Sequence, residues 1–206
     1  MKLTLVRHGD AHAGFSGPIS GPAGCRGLTD LGRDQAALLR ERMATEHVAP
    51  DVVLASELPR AIETADLVAP GFVSPVTIMI DCDLCEVHTG DADGTDWSDY
   101  GSTFGAFDMI EEPDRRFAPN GDSWNSFHER VEQFLQRSAE HFDGRHVVAF
   151  TSAGVIAAAL RLQFGGPFRA GPRLIPLNTS LTQWDHDAVT DWTLRVYNDA
   201  THLDTV

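Results

Sequence analysis

Apolar runs too short for helices alternate along this chain with segments of helical period, and that alternation limits the possible folds more than any single residue does. Leu3, Leu5 and Val6 in "LTLVRHGD" read as a buried strand. "TDLGRDQAALLRERMA" follows with Leu31, Ala36, Leu39 and Met43 along one helical face and Thr29 as the cap. "PDVVLAS" gives a second strand, and "PRAIETADLVA" a second helix with Pro59 in its first turn. "TIMIDCDL" is a third, short strand. In "DSWNSFHERVEQFLQRSAEHF", Phe127, Val131, Phe134 and Leu135 recur at helical spacing behind a cap at Asp122 or Ser123. "RHVVAFTSAGVIAAALRL" then runs from an apolar strand into a small-residue helix. "LNTSLTQWDH" and "DWTLRVYND" close the chain as two strands joined by an Asp-rich turn, an edge hairpin. Such an order predicts an α/β three-layer sandwich, with a mostly parallel central sheet covered by helices on both faces.

The 206 residues suffice for one sizeable core, so a single domain over 1–206 is expected. "HTGDADGTDWSDYGSTFG" has no clear period and reads as a loop, part of a lid insertion around 87–121. With 16 Lys and Arg against 30 Asp and Glu, the net charge of −14 opposes non-specific binding to nucleic acid or anionic membrane. Any anion site must be built locally. No apolar stretch approaches the roughly 20 residues of a membrane span, and no secretory leader is evident, which predicts a cytoplasmic protein. Cys82 and Cys85 share the C-x-x-C spacing of redox and zinc sites. Only Cys25 stands beside them, so a four-cysteine zinc site is excluded, and the pair reads as two small core residues. No metal site is expected.

Arg7 and His8 sit where the first strand ends, and Gly9 lets the chain turn there. The carboxyl ends of parallel strands are where open α/β sheets bind ligands. A cation and an imidazole at that point suit a ligand site, or are solvated residues that merely follow the strand.

Taken in order, "LVRHGD", "GLTDLGRDQA", "ASELPRAIETA", "CEVHTGDADG", "FTSAGVIAAAL" and "NTSLTQW" resemble the histidine phosphatase (phosphoglycerate mutase-like) superfamily over nearly the whole chain. The resemblance implies hydrolysis of a small-molecule phosphate monoester through a phosphohistidine on His8, without metal or other cofactor. Arg7 and Arg60 would hold the phosphate, and Glu86 would protonate the leaving oxygen and then activate water. Arg26, Arg115 and Arg116 match segments that resemble substrate-facing loops, and His12 and His88 are the nearest further imidazoles by sequence.

The pattern breaks at Ser152. The family's late strand ends in a second histidine, and the matching run here is Thr151, Ser152, Ala153, Gly154. Ser152 would supply one uncharged phosphate contact or cap the following helix. Loss of a charged donor typically costs about 10²- to 10³-fold in rate, so slow hydrolysis is one expectation and a lapsed phosphoester-binding module the other; a mutase is a third and weaker reading. Gly14, near where some branches carry a phosphate-contacting asparagine, is a lesser departure. "FTSAG" also has the outline of a serine hydrolase elbow, but Phe150 occupies its first glycine position, and nothing places His186 or His202 as its base.

Overall fold

The computed structural model describes residues 1–12, 17–165 and 174–204; Gly14 lies outside them. Six strands form one sheet: β1 (Lys2–Arg7), β2 (Val52–Ala55), β3 (Ile78–Ile80), β4 (His146–Thr151), β5 (Leu181–Asp187) and β6 (Asp191–Asp199). Their order is β3-β2-β4-β1-β5-β6. The first four of these run parallel, and β5 joins β1 antiparallel to begin the edge hairpin with β6. The helices are α1 (Asp30–Thr45), α2 (Pro59–Val68), α3 (Trp97–Tyr100), α4 (Trp124–His141) and α5 (Ala153–Phe164).

Period-2 alternation along the strands divides the core into two layers. Leu3, Leu5, Leu54, Val147 and Ala149 point to one face and pack with Phe127, Val131 and Phe134 of α4 and Ile156 and Ala159 of α5. Val6, Val53, Val148 and Phe150 point to the other, against Ala36, Leu39 and Met43 of α1 and Ala65 and Val68 of α2. The three-layer α/β sandwich follows directly. Burial of each Leu, Val or Phe contributes about 1.5–3 kcal/mol, so both helix pairs are held by side chains the strands present.

Local chemistry sets the helix starts. Thr29 caps α1 by accepting the Gly32 N–H at 3.1 Å, and Ser123, not Asp122, caps α4 in a reciprocal box with Ser126; each cap is worth ~1 kcal/mol. The buried face of α1 is corrected at one position. Leu31 is 58% exposed, and Gly32 takes the inward place in front of Ala36, Leu39 and Met43. At about 100° per residue Leu31 lies roughly 140° around the helix from Ala36. Gly32 is required there: a Cβ would stand 1.9 Å from the Asp10 carbonyl oxygen, and one on Gly9 would stand 2.6 Å from the Gly32 carbonyl oxygen. Two glycines thus let the turn after β1 rest on the first turn of α1.

The segment expected to be a loop carries short helical turns, including α3, and its own apolar cluster. Ala92, Tyr100, Phe117 and Ala118 gather with Ile19, and Tyr100 and Phe117 stack with ring centres 4.6 Å apart. Among the described residues, no helix is long and apolar enough to cross a membrane.

Candidate active site

Carboxyl ends of the parallel strands converge on one cleft. The end of β1 and the turn after it deliver Arg7 and His8, the first turn of α2 delivers Arg60, and the segment after β3 delivers Glu86. The cleft holds about 610 Å³ and is lined by these four, by His88, and by Ile19, Trp97, Met109 and Phe117 among others.

His8 is almost fully buried, and its two ring nitrogens have unlike partners. Nδ1 lies 2.7 Å from the Gly9 carbonyl oxygen, which can only accept. The Nε–H of Arg60 donates to Nε2 at 3.1 Å. Both contacts are satisfied by one state: Nδ1 protonated, Nε2 carrying a lone pair. Burial first, then the Arg60 charge, pulls His8 from its ordinary 6.5 to about 3, with the Gly9 carbonyl opposing and Arg7 adding to the shift. The imidazole is therefore neutral at physiological pH.

Several groups fix the turn that holds this ring. The Gly9 N–H donates to Thr64 Oγ1 at 3.1 Å, and that hydroxyl donates to the Arg60 carbonyl at 2.7 Å. Asn178 Nδ2 donates to the His8 carbonyl at 3.0 Å. Thr179 adopts φ +55°, a costly region for a β-branched residue, and directs its N–H at the Arg7 carbonyl. These contacts give "RAIET" and "NTS" a structural role around "RHG".

The two arginines, Arg60 buried and Arg7 half-buried, are differently engaged. Arg60 Nη1 donates to the Ser20 carbonyl at 2.9 Å, beside its Nε contact with His8. Arg7 Nη1 donates to the Pro176 carbonyl at 2.5 Å, while its Nε–H is buried with no partner among the described residues. Burial lowers the Arg7 pKa, against the pull of Glu86 and Asp10.

Glu86 reaches the same region through the start of α5. Its Oε2 accepts the Gly154 N–H at 2.9 Å. A Cβ on Gly154 would lie 1.9 Å from Glu86 Oε1, so only glycine leaves the carboxylate its place. Upstream, Thr151 Oγ1 donates to the Leu84 carbonyl at 2.6 Å and ties β4 to the same segment.

Ser152 follows Thr151, which is paired with Arg7 in the β1–β4 register and whose carbonyl accepts the His8 N–H at 2.9 Å. It occupies the cap position of α5 but makes no side-chain cap bond; its hydroxyl is buried, without a partner among the described residues, and not part of the described cleft wall. The serine-elbow alternative fails on geometry. His186 lies beside Met1 at the far end of β1, and His202 bonds Thr179 Oγ1 at 2.9 Å.

The remaining candidates divide. His88 lines the cleft. His12 is exposed and Arg26 borders a separate shallow depression; neither lines the described wall. Arg115 is spent on the Phe104 and Gly105 carbonyls, on Glu112 and on the Phe107 ring, 4.5 Å from its centre. Arg116 donates to the Gly121 carbonyl at 2.7 Å. Both hold the 87–121 segment in shape. Sequence reasoning missed the apolar wall of Ile19, Trp97, Met109 and Phe117, whose members lie too far apart in the chain to share a period.

An α/β sandwich whose parallel strands end in a buried histidine flanked by arginines defines a class, and the comparisons agree with it. Residues 3–200 match the histidine phosphatase superfamily (branch 1), and the chain belongs to that family. It is 30% identical over 174 residues to the adenosylcobalamin/alpha-ribazole phosphatase of Escherichia coli K12, covering 82% of each chain. It is 28% identical to phosphoglycerate mutase-like protein 4 of Arabidopsis thaliana, over 98% of this chain and 87% of that one. Among solved structures, the alpha-ribazole phosphatase from Shigella flexneri superposes with a TM-score of 0.80 at 28% identity, covering 97% of each chain.

Proposed function

We propose that this protein hydrolyses a phosphate monoester through a phosphohistidine on His8. The observation that carries the reading is the state of the ring: Nδ1–H held on the Gly9 carbonyl, and a neutral Nε2 lone pair facing the cleft cation Arg60. Nε2 attacks phosphorus as the ester P–O bond breaks, and Glu86, in its acid form, gives its proton to the leaving oxygen. The imidazolium character of the phosphorylated ring is stabilised at Nδ1–H by the carbonyl it already contacts. Arg60 turns its Nε–H from Nε2 to the phosphoryl oxygens, and the free Nε–H of Arg7 joins it. Water then attacks phosphorus, Glu86 takes its proton, and inorganic phosphate leaves with His8 restored.

Family membership and the phosphatase names of the relatives support this reading. The chain acts as one domain, with 87–121 as the cover over the site. Ile19, Trp97, Met109 and Phe117 would receive an apolar part of the alcohol being released. His8→Ala tests the proposal. The variant should lose turnover of an aryl phosphate and the acid-labile phosphate trapped on the protein by rapid quenching; wild-type turnover by the variant would remove His8 as nucleophile. Phosphate binding by the wild type with no turnover would instead identify a binding module.

A further inference from the structure

Beside the cleft, two separate stretches of chain bring a different set of groups together. Glu57 comes from the link between β2 and α2, Cys82 and Cys85 flank the helical turn after β3, and His88 follows two residues beyond Glu86. One ligand atom from each lies within 4.8 Å of all the others. Cys82 Sγ is 3.3 Å from His88 Nε2 and 3.5 Å from Glu57 Oε1. Tetrahedral zinc with bonds of about 2.0–2.3 Å sets its ligand atoms roughly 3.3–3.8 Å apart, so the cluster is already near the size of such a shell. Cys82 is exposed and not the core residue its spacing suggests, while Cys85 is buried.

The surroundings resemble those of a built metal site. His88 turns Nε2 to the cluster, its Nδ1 lies 3.5 Å from the Asp122 carboxylate, and that carboxylate accepts the His88 backbone N–H at 2.9 Å, which ties the residue in place. Asp122 is in turn held by Arg130 at 2.7 Å. Arg130 also donates to the carbonyls of Cys82, Asp83, Cys85 and Glu86, fixing the loop that carries the ligands.

We propose that Glu57, Cys82, Cys85 and His88 bind a thiophilic divalent cation, zinc by ligand type and geometry, on the wall of the cleft. Two sulfurs and an imidazole select zinc over magnesium or calcium. The ion would join the segment before Arg60 to the segment containing Glu86. Its role is positional, since all four places are taken by protein and none is open to substrate.

The test uses the full chain, reduced, stripped with a chelator and desalted. Zinc(II) chloride should be retained at one equivalent per chain through a second desalting, and cobalt(II) in its place should show the thiolate charge-transfer and intense visible bands of a tetrahedral sulfur-ligated ion. Cys82→Ser is at an exposed position and should fold. It should weaken zinc binding by more than the roughly 10- to 100-fold that loss of an outer partner costs, whereas Cys25→Ser should not change it. Retention well below one equivalent by the reduced wild type, undiminished binding by Cys82→Ser, or a cobalt spectrum without thiolate bands would overturn the site. So would a Cys82–Cys85 disulfide that, once reduced, yields thiols that bind no metal. None of these readouts depends on phosphatase activity, so the site and the proposed reaction stand or fall separately.

Discussion

Arg60 donates its Nε–H to Nε2 of His8 at 3.1 Å, so the ring nitrogen proposed to attack phosphorus is held by a cation proposed to receive the phosphate. Burial and, after it, this cation keep the imidazole unprotonated. The arrangement couples the acidity of His8 to a residue 52 positions away.

Arg60→Ala therefore has two expected effects. Inorganic phosphate affinity should fall by a few kcal/mol, the scale of a buried charge-assisted contact. The pKa of His8, pulled to about 3 by burial and then by Arg60, should rise toward 6.5. Titration of the His8 ring by NMR measures the second effect independently of any substrate. An unmoved His8 together with unchanged phosphate affinity would place Arg60 outside the site.

Buried histidines also set a pH window for stability. His8 is held at about 3, and His146 and His202 at about 4, burial being the largest cause in each. Their ordinary value is 6.5, so between about 6.5 and 4 the unfolded chain binds protons that the folded chain does not. Stability must then rise with pH across that window and fall as the pH is lowered through it. Thermal unfolding at intervals from pH 7 to 4.5 should show a steadily falling midpoint before most carboxylates titrate. A flat midpoint over that range would mean the three rings are solvated and protonated in the native state.

Gly154 gives a test of Glu86 from a distance. Its added Cβ would stand 1.9 Å from Glu86 Oε1, so Gly154→Ala must move the carboxylate or the first turn of α5. Turnover should drop toward that of Glu86→Gln, within the roughly 10²- to 10⁴-fold that general acid–base catalysis contributes. Combining the two substitutions should cost little more than either alone. Full additivity in that cycle would show that Gly154→Ala acts on something other than Glu86.

The sheet and helix pairs were legible because each strand is a short apolar run and each helix repeats at 3.6 residues, both local signals. The residues of "RHG", "PRAIETA" and the glutamate of "CEVH" stand out through their likeness to a family's motifs, and the fold brings Arg7, His8, Arg60 and Glu86 to one cleft. Leu31 was misplaced because Gly32 has no side chain to advertise its burial. Arg115 and Arg116 carried the right charge but turn to carbonyls of their own segment, a choice made by loop geometry. The Cys82–Cys85 pair lies close to His88 in the sequence, but Glu57 is supplied by the β2–α2 link. Its proximity to the other three exists only in the folded chain.

Ser152 separates a structural from a chemical role by the sign of two measurements. The residue is 1% exposed, its hydroxyl has no partner among the described residues, and it stands one position beyond Thr151, whose carbonyl accepts the His8 N–H. An unpaired buried hydroxyl costs about 1–3 kcal/mol, so Ser152→Ala should leave the unfolding midpoint unchanged or higher. A hydroxyl that instead turns to a bound phosphoryl group would be missed in catalysis, and kcat/KM should fall about 10-fold or more while stability does not. Lost stability with unchanged kcat/KM would assign Ser152 to packing alone. Ser152→His extends the test in the other direction: a cationic donor beside the phosphoryl group should raise turnover by about 10- to 10³-fold. The larger ring must fit a packed position, where overpacking costs about 1–3 kcal/mol, so its thermal midpoint is read alongside. A folded Ser152→His protein with no gain, made beside a Ser152→Ala protein with no loss, would show that the cleft draws its phosphoryl donors from Arg7 and Arg60.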